Sequence, residues 1–150
     1  MKLVIKEYWE NLKTEYETAY KVSIFSDYNV LMQYAERFGS YLRGLMQEHP
    51  LDVDVVFALA TVEQVLRHDE NSIQLLEDFL ETYSGELGDT DKARVYTNLA
   101  FYYNDERHIK EYDYLSVAVK LNSPYIETYR GLALYHFSSY EDNGSIEALT

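Results

Sequence analysis

Two eight-residue segments carry the same pattern, YTNLAFYY at residues 96–103 and YRGLALYH at residues 129–136. In both, an aromatic residue is followed three positions later by a leucine, then by a small residue, then by a second ring, and the copies begin about 33 residues apart. A constant offset of this size is typical of stacked helix-turn-helix repeats. Because one such helix pair cannot bury its own apolar face, tandem copies predict a solenoid of helical hairpins.

The rest of the chain also reads as helices, with apolar residues at three- and four-residue steps and no strand-like alternation. We predict seven helices, over about residues 6–22, 28–48, 53–66, 71–83, 90–103, 107–122 and 125–140. Ser26 or Asp27 is expected to cap the second helix and Asp52 the third. Gly85 is expected to end the fourth helix in a left-handed conformation.

Apolar residues within single helices predict which face of each helix is buried. The first helix carries one stripe that contains Trp9, Leu12, Tyr16, Ala19 and Tyr20. The third helix is apolar nearly all round, so we expect it to be central in the stack. The last helix has no following partner, and its outer apolar side is expected to be free to bind another chain.

Composition and charge limit the class of protein. The chain has 150 residues, 47% of them hydrophobic, and no cysteine, so disulfides, thiolate metal sites and cysteine nucleophiles are excluded. The formal net charge of −13 disfavours nucleic acid and anionic lipid as partners. The N-terminus lacks the apolar run of a secretory signal, and no segment is long and apolar enough to span a membrane. We therefore expect a cytoplasmic protein.

The motif at residues 96–103 resembles the first helix of a tetratricopeptide repeat (TPR), with Leu99 and Ala100 at the leucine and small positions. The copy at 129–136 is similar, with His136 where the family has a tyrosine, and Pro124 lies between the copies. The resemblance implies one domain over residues 1–150, a right-handed α-α superhelix of antiparallel hairpins. Clearer repeats cover about residues 91–124 and 125–150, the last one incomplete, and degenerate repeats cover about residues 6–50 and 52–84.

What the resemblance implies about function is binding, without catalysis, of a protein or peptide segment in a groove lined by the first helix of each repeat. The partner is expected to be a protein or peptide, and the acidic net charge of this chain would favour a basic one. The residues expected to line the groove come from the third, fifth and seventh helices and the turn after the fifth: Phe57, Thr61, Arg94, Asn98, Phe101, Asn104, Arg130, Leu134 and Phe137. The lysines and asparagines with which some family members clamp a C-terminal carboxylate are essentially absent here.

Catalytic, cofactor and metal motifs are not found. The four histidines occur singly, and no phosphate-binding loop, nucleophile elbow or calcium loop is present. We therefore expect no cofactor, no metal and no enzymatic activity. Two alternatives to an adaptor stay open, namely a structural protein that forms a homodimer through the C-terminal helix and an acidic chaperone for a basic or secreted client. A hydrolytic enzyme is a third, because carboxylates brought together from distant helices leave no sequence motif.

Overall fold

The computed structural model describes residues 1–103 and 108–142, without the side chains of residues 108 and 138–142. Within these ranges the protein is all-α, as predicted, and has no strand. In chain order its elements are α1 (Lys2–Tyr20), a 3-10 helix (Ile24–Ser26), α2 (Tyr28–Glu48), α3 (Val53–Val65), α4 (Asp69–Tyr83), α5 (Asp89–Tyr102), α6 (His108–Lys120) and α7 (Ile126–Asp142).

Two helices begin where their capping residues predict. The Asp27 carboxylate accepts hydrogen bonds from the backbone N–H groups of Asn29 and Val30, at 3.0 and 3.2 Å, ahead of α2. Asp52 accepts one from Asp54 N at 3.0 Å ahead of α3. These side chains satisfy amides that have no partner inside the helix. Two other helices start earlier than predicted, α1 at Lys2 and α4 at Asp69.

The prediction of a left-handed Gly85 is wrong. The φ angle of Gly85 lies outside the left-handed region. After α4 the N–H groups of Glu86 and Leu87 both donate to the carbonyl of Tyr83, at 2.9 and 3.1 Å, so turns close the helix end without such a residue. The non-glycine residues that do have positive φ follow other helices: Lys21, Arg67 and Asn122.

The chain divides into two compact units, residues 1–79 and the part from residue 80 onward, with the division inside α4. In the first unit α1, α2 and α3 each contact the other two. Their buried cluster contains Leu12 of α1, Phe38 and Leu42 of α2, and Leu59 and Val62 of α3. Seven of the thirteen residues of α3 are buried, whereas Thr61, Gln64 and Val65 are exposed. The central position of this helix in a stack stays a prediction. Each unit is described by itself below.

Aromatic contacts extend this cluster. Trp9 meets Phe38 edge to face, with ring centroids 5.4 Å apart, and Tyr8 stacks on Tyr41 at 3.6 Å. Such contacts add to the stabilisation that burial alone provides.

The end of the α1 stripe was predicted wrongly, because Ala19 and Tyr20 are exposed. Left-handed Lys21 ends α1, and the chain turns so that Ile24 of the 3-10 helix is fully buried. The Ile24 N–H donates to the Glu17 carboxylate at 3.0 Å, which fixes this turn against the last turns of α1.

The second unit packs α5, α6 and α7, and α5 contacts both of the others. The first copy of the repeated motif is fully buried at Leu99 and Ala100. In the second copy Leu132 is half-buried and Ala133 is exposed, since no helix within the described residues covers that side of α7. The close approach of α6 to α7 occurs at Gly131, where a Cβ would lie 3.2 Å from both methyl groups of Leu115.

Candidate functional site

A hollow in the second unit brings together part of the predicted groove. It has a volume of about 260 Å³ and is lined by six residues of α5, α7 and the segment before α7: Arg94, Thr97, Asn98, Phe101, Tyr125 and Glu127. Three of these, Arg94, Asn98 and Phe101, are residues that the sequence predicted for a binding groove. We call this feature the α5–α7 hollow.

Helical spacing explains why the α5 side chains share one face. Arg94, Asn98 and Phe101 lie four and three residues apart, so they follow one another on successive turns. The Asn98 side chain donates to the backbone carbonyl of Arg94 at 2.9 Å, which holds the amide along the helix. Phe101 is 42% exposed and presents apolar surface at the C-terminal end of the row.

A chain of buried hydroxyl groups lies behind the hollow and joins α5 to the start of α7. Thr97 Oγ1 donates to the carbonyl of Ala93 at 2.8 Å and lies 2.6 Å from Thr128 Oγ1. Thr128 Oγ1 is in turn 2.7 Å from Ser123 Oγ, which accepts a hydrogen bond from Tyr125 N at 3.2 Å.

Because a hydroxyl has a single hydrogen, these contacts allow one order of donors. Thr97 gives its hydrogen to Ala93, so it accepts from Thr128, and Thr128 then accepts from Ser123. All three hydroxyl-bearing residues are buried, so each bond is formed away from water. The chain therefore fixes the position of two lining residues, Thr97 and Tyr125, relative to each other.

The remaining predicted residues of α7 and of the preceding turn are not part of this hollow. Arg130, Leu134 and Phe137 lie on the exposed face of α7, where Leu134 is 58% and Phe137 is 55% exposed. That face is opposite the buried residues Thr128 and Gly131, which pack toward α5 and α6. Asn104 lies outside the described residues.

The two predicted residues of α3 belong to the first unit. Thr61 lines a cleft there, whereas Phe57 is half-buried and does not line it. The cleft has a volume of about 410 Å³. Its walls come from α1, the 3-10 helix, α2 and α3: Ile5, Lys6, Trp9, Phe25, Leu31, Ala35, Phe38, Ala58, Thr61, Val62 and Val65. We call it the apolar cleft.

Sequence reasoning missed the apolar cleft as a site. Trp9 was assigned to the inward stripe of the first helix, and inward residues of neighbouring helices do not reveal whether those residues meet or leave a gap. The one local signal was Phe25, a large apolar residue in a break between helices, which is 62% exposed.

A third depression in the first unit surrounds the buried carboxylate of Glu63, with a volume of about 420 Å³. Arg43 Nη2 donates to Glu63 Oε1 at 2.8 Å, and His68 Nδ1 and Asn71 Nδ2 lie 3.0 and 3.4 Å from Oε2. Burial by itself raises the pKa of Glu63, but the hydrogen bonds from His68, Asn71 and Arg43, with the charge of Arg43, lower the pKa overall.

This arrangement joins elements of the fold and does not resemble an acid/base pair. Arg43 belongs to α2, Glu63 to α3 and Asn71 to α4, so one carboxylate links three helices. Among the side chains that the structure describes, no cluster of histidine and carboxylate groups is arranged to hold a metal ion.

In the described part of the chain, none of the helices combines the length and apolar character needed to cross a bilayer. Comparison with protein-family models, with curated proteins and with solved structures gave no match.

Proposed function

We propose that this protein is a cytoplasmic, non-catalytic adaptor that binds a protein or peptide segment in the α5–α7 hollow. The observation that carries the proposal is that Arg94, Asn98 and Phe101, selected from sequence as groove residues, line one hollow together. The same proposal includes a TPR-like, right-handed arrangement of the repeats.

The chemistry of the lining fits a peptide. One amide hydrogen of Asn98 donates to the Arg94 carbonyl, and the other hydrogen and the acceptor oxygen are groups of the kind that pair with peptide C=O and N–H. Phe101 offers apolar area for a side chain of the ligand, and aromatic residues of this kind often dominate binding energy. Glu127, beside the hollow in a chain of net charge −13, favours a basic residue in the ligand.

The test uses peptides selected from a displayed random library on the immobilised protein, with affinities then measured by fluorescence anisotropy. We expect Phe101→Ala to lower the affinity for the selected peptides about tenfold, equivalent to about 1.4 kcal/mol of binding free energy. Asn98→Ala should weaken them less. The matched control is Ile109→Ala, because Ile109 is 76% exposed on α6 and does not line the hollow.

Two results would reject the site. One is selected peptides that bind Phe101→Ala and Asn98→Ala as tightly as the unmodified protein. The other is binding that is lost on Arg130→Ala but not on Arg94→Ala, because Arg130 lies on the outer face of α7 and that result would move the ligand there. A steep loss of affinity with added salt would favour the acidic chaperone over an apolar groove binder.

Self-association is a second candidate, favoured by the outer face of α7. Ile126, Leu134 and Phe137 are each more than half exposed there. A second copy could cover this strip in a symmetric pair. Sedimentation should then show a dimer that Phe137→Asp dissociates, and a monomer at high micromolar concentration would reject this candidate.

A further inference from the structure

The apolar cleft of the first unit has the lining of a ligand site. Its walls include the rings of Trp9, Phe25 and Phe38 and the aliphatic side chains of Ile5, Val62 and Val65. Its volume of about 410 Å³ falls in the range of small-molecule pockets, about 300–1,000 Å³. From Ala58 to Val65 the cleft follows α3 for about 10 Å, at a rise of about 1.5 Å per residue.

The cleft offers almost nothing with which a peptide backbone could pair. Its polar side chains are Thr61 and Lys6. The Thr61 hydroxyl donates its hydrogen to the carbonyl of Phe57 within α3, at 2.9 Å, so it can serve a ligand only as an acceptor. An extended peptide would lose many hydrogen bonds to water on entering, and Thr61 and Lys6 would replace few of them. A helix pairs its own backbone, but about 10 Å of contact spans only two helical turns.

Lys6 gives the cleft a charge preference. Its side chain is exposed, lines the cleft, and makes no ion pair within the described residues. A second ammonium, that of Lys13, lies 5.9 Å from the ring centroid of Phe25, although it is paired with Glu10 at 3.4 Å. The net charge of −13 disfavours anions over the molecule as a whole, but the charged side chain in the cleft lining is the Lys6 ammonium. At this position the cleft therefore favours a ligand with an anionic group and an apolar remainder.

We propose that the apolar cleft binds a single-chain aliphatic carboxylate, with the hydrocarbon chain along Trp9, Phe38 and Val62 and the carboxylate at Lys6. A hydrocarbon chain has no polar groups to leave unpaired, and its burial removes apolar surface of both partners from water. The site is separate from the α5–α7 hollow, and the peptide-binding proposal can fail without affecting it.

The chain provides its own probe, because Trp9 is the single tryptophan and lines the cleft. The full-length protein is titrated with dodecanoate below the concentration at which dodecanoate forms micelles, and Trp9 emission is recorded. We expect a saturable change in emission, with tighter binding of dodecanoate than of dodecyltrimethylammonium. Dodecan-1-ol should bind through the hydrocarbon chain alone.

Two pairs of variants separate the charge from the cavity. Lys6→Gln should lower the affinity for dodecanoate about three- to fivefold, as expected for loss of an exposed ion pair, and leave the affinity for dodecan-1-ol unchanged. Lys2→Gln, also on α1 but outside the lining, should alter neither. Thr61→Phe should fill the cleft and abolish binding, whereas Thr14→Phe, at an exposed position of α1, should not. Circular dichroism confirms that each variant is folded.

Several results would overturn the proposal. They are the absence of a saturable change in Trp9 emission, equal or tighter binding of the cationic amphiphile, and full retention of binding by folded Thr61→Phe. A Lys6→Gln variant that binds dodecanoate with unchanged affinity would remove the assigned carboxylate position. Binding of an amphipathic helical peptide in the cleft without any binding of dodecanoate would replace the ligand class.

Discussion

Neutralising Glu63 tests whether its carboxylate holds α2, α3 and α4 together. In Glu63→Gln the shape is nearly kept, but an NH₂ group replaces one acceptor oxygen and faces the donors of Arg43, His68 or Asn71. Hydrogen bonds to a charged group contribute about 1.5–3 kcal/mol each. Arg43 and His68 are about half exposed, with side-chain exposures of 51% and 52%. We therefore expect a loss near the lower end of that range, about 2 kcal/mol in the free energy of unfolding.

The assay is urea denaturation followed by Trp9 fluorescence, which reports on the same unit, and by far-ultraviolet circular dichroism. With a slope of about 2 kcal/mol per molar urea, the midpoint should fall by about 1 M. Glu36→Gln is the matched control, because Glu36 is exposed on α2 and should change stability by less than about 0.5 kcal/mol. A double-mutant cycle that combines Glu63→Gln with Arg43→Met should show a coupling energy of at least about 0.5 kcal/mol. A midpoint unchanged in Glu63→Gln, or additive effects in the cycle, would refute the reasoning.

Three further predictions concern stability. The pKa of Glu63 is lowered in the folded protein, so its contribution is complete above the pKa of an unfolded glutamate, about 4.3. That contribution should disappear as the pH falls through the folded pKa, and urea midpoints from pH 7 to pH 3 should fall less steeply in Glu63→Gln. Gly44→Ala should stabilise α2 by about 0.5–1 kcal/mol, because no atom lies near the added Cβ. Gly131→Ala should instead lower the thermal midpoint, because buried Leu115 blocks the added methyl. Equal shifts of the thermal midpoint in both variants would contradict this. Asp27→Ala should cost about 1 kcal/mol in urea unfolding by removing the cap of α2, and an unchanged midpoint would show that the cap is dispensable.

Features set by neighbouring residues could be predicted from the sequence. The starts of α2 and α3 follow from Asp27 and Asp52, because a capping side chain bonds to amides two or three residues away. Arg94, Asn98 and Phe101 could be grouped for a similar reason, since four- and three-residue steps place them on one helix face.

Features set by distant parts of the chain could not be predicted from the sequence. The exposure of Ala19 and Tyr20 depends on where Ile24 packs after the turn at Lys21, which no helical period encodes. Tyr125 and Glu127 join the α5–α7 hollow through the packing of α7 on α5, and the repeated motif does not include them. The apolar cleft depends on the spacing between three helices. The right-handed superhelix stays a prediction.

The ordered hydroxyls of Ser123, Thr128 and Thr97 imply that substitutions among them will not add. Replacing the middle residue, Thr128, by valine removes the acceptor for the Ser123 hydroxyl and the donor to Thr97. One substitution therefore breaks two hydrogen bonds. Once Thr128 is valine, the Ser123 hydroxyl has already lost its acceptor, so replacing Ser123 by alanine should cost only the hydrogen bond that Ser123 Oγ accepts from Tyr125 N. Mutational tolerance at these three positions should therefore depend on the order in which changes accumulate.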